Sequence, residues 1–224
     1  MIEPVAPLPI LLFFLLLLGF AVMIFVLEIR ALSYAYRAIG ISPRYVTVVL
    51  LATLLGSHVD LPVTALRAHG ATSLIAMNIG GALVPLLASL YLFTRSRVRG
   101  RMLLATAIVA YIVHELAVVV PGVGVAVPML IPPLAATGVA LALAFREAPA
   151  VAYVAGSLGA LIGADLLNLP RIVKIGAPVV SIGGAGTFDG VFLTGLIAGV
   201  LAAWVVPTRR EREIAEPRST TRAA

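Results

Sequence analysis

The sequence predicts an all-α fold, a polytopic membrane helix bundle of about seven transmembrane segments with broken or re-entrant pieces on the outer side. Three observations predict it. Hydrophobic residues make up 61% of the 224-residue chain and mean hydropathy is +1.11, more apolar surface than one water-soluble domain can hide. Apolar runs of roughly bilayer length recur along the chain. Thirteen of the 16 lysines and arginines fall on alternate connections between those runs, as the positive-inside rule requires.

Taken in order, the runs cover 8–29, 45–57, 71–94, 102–119, 132–146, 149–168 and 189–206. The first follows "MIEPVAPLPI", which has neither the basic region nor the cleavage site of a signal peptide, so it reads as a retained helix. The second and fifth are short for a hydrocarbon layer about 30 Å thick. Their flanks, "GSHVDLPV" and "PGVGVAVPMLIPP", are expected to complete the crossing as irregular backbone covered by protein. Residues 1–206 read as a single transmembrane domain, and 207–224 as a basic, disordered cytoplasmic tail.

Charge sets the expected orientation. With "RSRVRGR" cytoplasmic, only Arg67, Arg171 and Lys174 remain outside, so the N-terminus lies outside and the C-terminus inside. The net charge of +6 is thereby explained by the lipid bilayer, without a nucleic-acid partner. No cysteine is present, which excludes disulfides and thiolate metal sites.

Two regions look alike. "LLGSHVDLPV" (54–63) resembles "LIGADLLNLP" (161–170), and "NIGGAL" (78–83) resembles "SIGGAG" (181–186), each entering an apolar run. The copies would be a parallel internal repeat of segments two–three and six–seven.

Ionisable groups at membrane depth are costly and mark sites. Asp60, Asp165 and Asp189 all fall in or beside the outward connections. His58, His114 and Glu115 lie at the outer ends of segments two and four, with Asn78 and Asn168 at similar depth. Asp165 stands five residues before Pro170, about 7–8 Å inside the helix end, with Asn168 expected on its face at i+3. Asp189, at the point where "SIGGAGTFDG" becomes a helix, suits N-capping as well as chemistry. Ser181 opens that loop. Asp60 is within reach of Arg67, and Glu115 shares a helical face with Tyr111. Three histidines without cysteine make a poor zinc set, and no metal or cofactor is expected. The glycine loop lacks the lysine and spacing of a phosphate-binding loop, so that function is excluded.

The blocks "LLGSHVDLPV", "NIGGALVPLLASLYL", "VPGVGVAVPMLIPPLAA", "APAVAYVAGSLGALIGADLLNL" and "GAPVVSIGGAGTFDGVFLTG" resemble a prokaryotic membrane family, the domain-of-unknown-function family numbered 1614, over about 8–206. The resemblance implies a multi-pass protein of a prokaryotic cytoplasmic membrane and no particular activity. A slighter likeness is to intramembrane aspartyl proteases of the presenilin type. Phe188–Asp189 stands where their Tyr–Asp stands, and "GAD" (163–165) approximates their second aspartate motif, in reversed order. Their Pro-Ala-Leu motif is matched only by a permuted "PLA" at 133–135.

Three functions fit these residues. The first is an intramembrane aspartyl-type hydrolase with Asp165 and Asp189 as the acid/base pair, acting on a membrane-borne peptide or lipid-linked substrate. The second is a small cation- or proton-coupled transporter or channel in which Asp60, Asp165, Asp189 and Glu115 bind the ion, with His58, Asn78, Asn168 and Ser181 as further ligands. The third is a scaffold whose aspartates only cap helices. Each leaves room for a homo-oligomer.

Overall fold

Chain order and local chemistry account for most of the elements. The computed structural model describes residues 7–68, 71–120, 124–174, 178–184 and 189–207. Helix α1 (Pro7–Ala38) grows from the unbroken Leu/Phe run. It ends at Gly40, whose φ of +98° only glycine adopts without strain. There the Ile41 and Gly40 amides donate to the Tyr36 and Arg37 carbonyls at 3.0 and 3.1 Å, closing the last turn. Leu32, Ala35 and Tyr36 are buried, whereas Leu12 to Leu18 of the same helix are exposed. Helix α2 (Pro43–Gly56) starts with Pro43 in its first turn, where the missing N–H costs nothing.

The expected helix over 71–94 is corrected in its first third. Strands β1 (Asp60–Ala68) and β2 (Ala71–Asn78) form an antiparallel hairpin that pairs Asp60 with Asn78. A continuous apolar run satisfies strand and helix alike, so hydropathy could not separate them. The helix begins only after Asn78, whose Oδ1 accepts from the Gly81 amide at 2.8 Å. A π-helical turn (Ile79–Leu83) then leads into α3 (Val84–Arg95). Gly80 lies against the Thr53 carbonyl and the Ser57 backbone, so any side chain here would force α2 and α3 apart.

Helix α4 (Arg99–Leu116) is followed by a second hairpin, β3 (Val118–Val120) and β4 (Gly124–Ala126). Next comes a helical run, Ile131–Ile172, the one run among the described residues that is long and apolar enough to cross a membrane. A 3-10 turn at Phe145–Glu147 divides it into α5 (Ile131–Ala144) and α6 (Ala148–Ala160), which pack on each other. Helix α6 continues as a π-helical segment, Leu161–Leu166, before the short α7 (Leu169–Lys174). Strand β5 (Val179–Ile182) pairs parallel to β2, giving a sheet of order β1-β2-β5. Helix α8 (Gly190–Val205) is the last described element. The fold is mostly helical, and helices overlap all seven expected segments.

Helix α6 is the central element, buried from Val151 to Ser157 and packed on α4, α5 and α8. Its small residues permit that. Gly159 and Gly163 meet Val109, Ala110 and Val113 of α4, and Gly195 of α8 meets Tyr153 and Ser157 of α6. Gly199, one turn on from Gly195, lies against Ile39 and Tyr153, so the GxxxG spacings Gly159–Gly163 and Gly195–Gly199 are both used for contacts inside the chain.

The two ends of the helices carry different cavities. At one end the Ser96 hydroxyl donates to Glu147 Oε2 at 2.8 Å, tying the α3–α4 connection to the α5–α6 turn. A cavity there joins the end of α1, the start of α6 and the end of α8, with Arg37 and Arg146 in its wall. At the opposite end the start of α5, the end of α6 and the start of α8 surround a second cavity, which contains Asp165 and Asp189. The tail 208–224, along with His69 and Thr187, lies outside the described residues.

Candidate functional site

The second cavity, of about 530 Å³, is framed by Val113 of α4, Pro128 and Met129 before α5, Ala164 and Asp165 of the π-helical segment, and Asp189 before α8. Its walls are mainly aliphatic, with two carboxylates set into them.

Asp165 owes its direction to the π-helical register. The wider turn over Leu161–Leu166 rotates the chain relative to a 3.6-residue helix, and such segments recur at functional sites. Gly163 lies against the Ala110 carbonyl, which pins the segment to α4 and leaves Asp165 on the cavity side. Asp165 Oδ2 is buried and has no hydrogen-bond partner among the described residues. An unmet carboxylate oxygen is costly to bury, which makes it an unusual thing for a purely structural residue to carry.

Asp189 is the N-cap of α8. Its φ and ψ of −69° and 147° are extended, and Oδ1 accepts from the Val191 amide at 2.8 Å. Capping and chemistry are compatible, because a carboxylate has further lone pairs. The helix N-terminus also favours negative charge at that position. Asp165 and Asp189 are near enough for the charge of one to act on the other.

The remaining candidates fall elsewhere. Asp60, Asn78 and Ser181 form a cluster across the three-stranded sheet. Asp60 Oδ1 accepts from Asn78 Nδ2 at 3.0 Å and from the Ser181 hydroxyl at 2.8 Å. Asn78 Nδ2 also donates to the Ser57 carbonyl at 3.0 Å. The knot ties β5 to β1 and β2 just before the turn at Gly183–Gly184 that leads toward Asp189. Asp60 does not pair with Arg67, which sits at the far end of the hairpin and donates to Thr72 Oγ1 at 3.3 Å.

Asn168 corrects the expectation of a face shared with Asp165. It is fully buried, donating to the Gly163 and Ala164 carbonyls at 2.9 and 3.1 Å, with His114 Nδ1 at 3.3 Å. Arg171 donates to its Oδ1 at 3.1 Å. The amide satisfies carbonyls left open at the helix end. The 3.6-residue period fails as a guide here because the π-helical turn intervenes. His58 and Glu115 are exposed, and neither lines the cavity. Thr194, buried one turn into α8, lines it without having been singled out by any sequence motif. Among the described residues no group of three His, Asp or Glu side chains could hold a metal ion.

Fold and site together define a helical protein with a carboxylate pair in an apolar cavity. Residues 17–201 match the family described as Protein of unknown function (DUF1614). The chain belongs to that family. No curated protein and no solved structure matches it.

Proposed function

We propose that the chain is a polytopic membrane hydrolase of aspartyl type, in which Asp165 and Asp189 act as one acid/base pair. The observation that carries this reading is the shared cavity: two carboxylates from different helices line it, and one has an unpartnered buried oxygen. In this mechanism Asp189, held at a helix N-terminus, takes a proton from a water as that water adds to the substrate carbonyl. Asp165 supplies the proton that the carbonyl oxygen acquires. Collapse of the tetrahedral adduct breaks the C–N or C–O bond, and the leaving group takes the proton held by Asp189. Asp165 takes back a proton from a hydroxyl of the adduct as the new carboxyl group forms. Aliphatic walls from Val113, Met129 and Leu193 suit a membrane-borne peptide or lipid-linked substrate.

The membrane reading draws support from the apolar run Ile131–Ile172 and from large exposed side chains along α1, Phe13 at 62% and Leu16 at 74%. Arg37 and Arg146 at one end of the helices, with Asp165 and Asp189 at the other, favour the end with Arg37 and Arg146 in the cytoplasm and the carboxylate cavity in the outer leaflet. Parallel pairing of β2 with β5, each running on toward a helix, supports an internal repeat.

A cation- or proton-coupled transporter is the second reading, favoured by the π-helical break beside Asp165. Reconstituted protein separates the two. Hydrolysis of quenched-fluorescent transmembrane peptides that Asp165→Asn and Asp189→Asn each abolish supports the hydrolase. Absence of any hydrolysis, with a cation flux that both variants abolish, rejects it in favour of transport.

A further inference from the structure

The cavity with Arg37 and Arg146 in its wall has a chemistry of its own. It measures about 620 Å³ and is framed by Tyr34 and Arg37 of α1, Arg146 and Pro149 at the start of α6, and Ala203 and Val206 at the end of α8. Neither guanidinium has a carboxylate partner among the described residues. Arg37 uses Nε on the Ser33 carbonyl at 3.0 Å, which leaves its two terminal nitrogens uncommitted. Arg146 is exposed and has no hydrogen-bond partner among the described residues. The adjacent Glu147 is engaged by the Ser96 hydroxyl. Tyr34 accepts from Trp204 Nε1 at 3.2 Å, so its own hydroxyl hydrogen remains available to an acceptor.

Two planar forks and a phenol converging on one cavity match a phosphate, which offers several acceptor oxygens and negative charge. The surroundings indicate where that phosphate comes from. Trp204 and Tyr34 are 69% and 51% exposed, and such amphipathic rings concentrate where hydrocarbon meets headgroups. Ala203, Val206 and Pro149 supply an apolar floor that a free anion does not need but an acylated one uses.

We propose that this cavity binds the phosphate of an anionic lipid headgroup at the cytoplasmic surface of the bilayer. The proposal rests on the membrane reading above and is independent of the Asp165–Asp189 pair. A bound headgroup bridges the ends of α1, α6 and α8, the last two of which also carry the carboxylates at their other ends.

The test uses the full chain, purified in a neutral detergent. Thermal unfolding is followed while phosphatidylglycerol, phosphatidylcholine or inorganic phosphate is added, and retained lipid is counted by native mass spectrometry. The midpoint is expected to rise with phosphatidylglycerol alone, with one lipid retained per chain. Arg37→Gln/Arg146→Gln is expected to lose both effects, and Arg99→Gln/Arg101→Gln to keep them. Should the double variant not fold, the exposed Arg146→Gln alone is expected to weaken lipid retention at least tenfold. An undiminished shift and lipid count in the arginine variants would overturn the proposal, as would an equal shift from inorganic phosphate or from phosphatidylcholine. Hydrolysis is expected to survive in the arginine variants, so failure here and failure of the carboxylate pair are separate results.

Discussion

Asp165, on the π-helical extension of α6, and Asp189, at the N-cap of α8, line the same cavity although two dozen residues of chain separate them. The α6–α8 contact makes this pairing possible. Gly195 sits against Tyr153 and Ser157, so the two helices approach closely and their ends at the carboxylate side stay together.

Asp189 is predicted to separate stability from chemistry. Asp189→Ala loses the acceptor of the Val191 amide, at a cost of about 1 kcal/mol in thermal unfolding. Asp189→Asn keeps an acceptor there and is expected to unfold near the wild-type temperature. Hydrolysis is expected to vanish in both. An Asp189→Asn protein with full turnover would reduce the residue to a cap.

Asp165 is predicted to be a functional residue that costs stability. Its side chain has an unpartnered, buried oxygen and lines the same cavity as a second carboxylate. Asp165→Asn puts a neutral amide that cannot ionise beside Asp189, and thermal unfolding is expected to show equal or greater stability, by up to about 1–3 kcal/mol. Pronounced destabilisation would mean that the carboxylate is structural.

Gly163 is predicted to tolerate no side chain. A Cβ there meets the Ala110 carbonyl and Val113, so Gly163→Ala pushes α6 from α4 at a cost of about 1–3 kcal/mol. Circular dichroism melts give the number. A neutral Gly163→Ala would show that the two helices slide apart without penalty.

Asp60 is predicted to act at a distance from the cavity. Asp60→Ala removes the acceptor shared by Asn78 Nδ2 and the Ser181 hydroxyl, leaving Asn78 its bond to the Ser57 carbonyl, and loosens β5 ahead of Asp189. Turnover is expected to fall severalfold, and Asp60→Asn, which keeps an acceptor oxygen, to restore most of it. Complete loss in both variants would instead put Asp60 in the chemistry.

What the sequence disclosed follows from the kind of signal each feature leaves. Hydropathy located helices because a long apolar run is its own evidence. It missed β2, because a strand apolar on both faces reads like a helix of the same length. Depth alone singled out Asp165 and Asp189, since a carboxylate beside an apolar run needs a reason to be there. The π-helical register of Leu161–Leu166 leaves no periodic trace, so Asn168 was expected on the wrong face. Cavity walls such as Thr194 and Met129 arise from tertiary packing and carry no local signature.

The central claim, that the two carboxylates meet across one cavity, is open to direct measurement because the chain contains no cysteine. In Asp165→Cys/Asp189→Cys the only thiols are the introduced pair, and a short bifunctional thiol reagent is applied to the folded protein. The account predicts one intramolecular bridge, seen by mass spectrometry as a single linked peptide pair and lost when the protein is unfolded first. Separate labelling of both thiols with no bridge would contradict it.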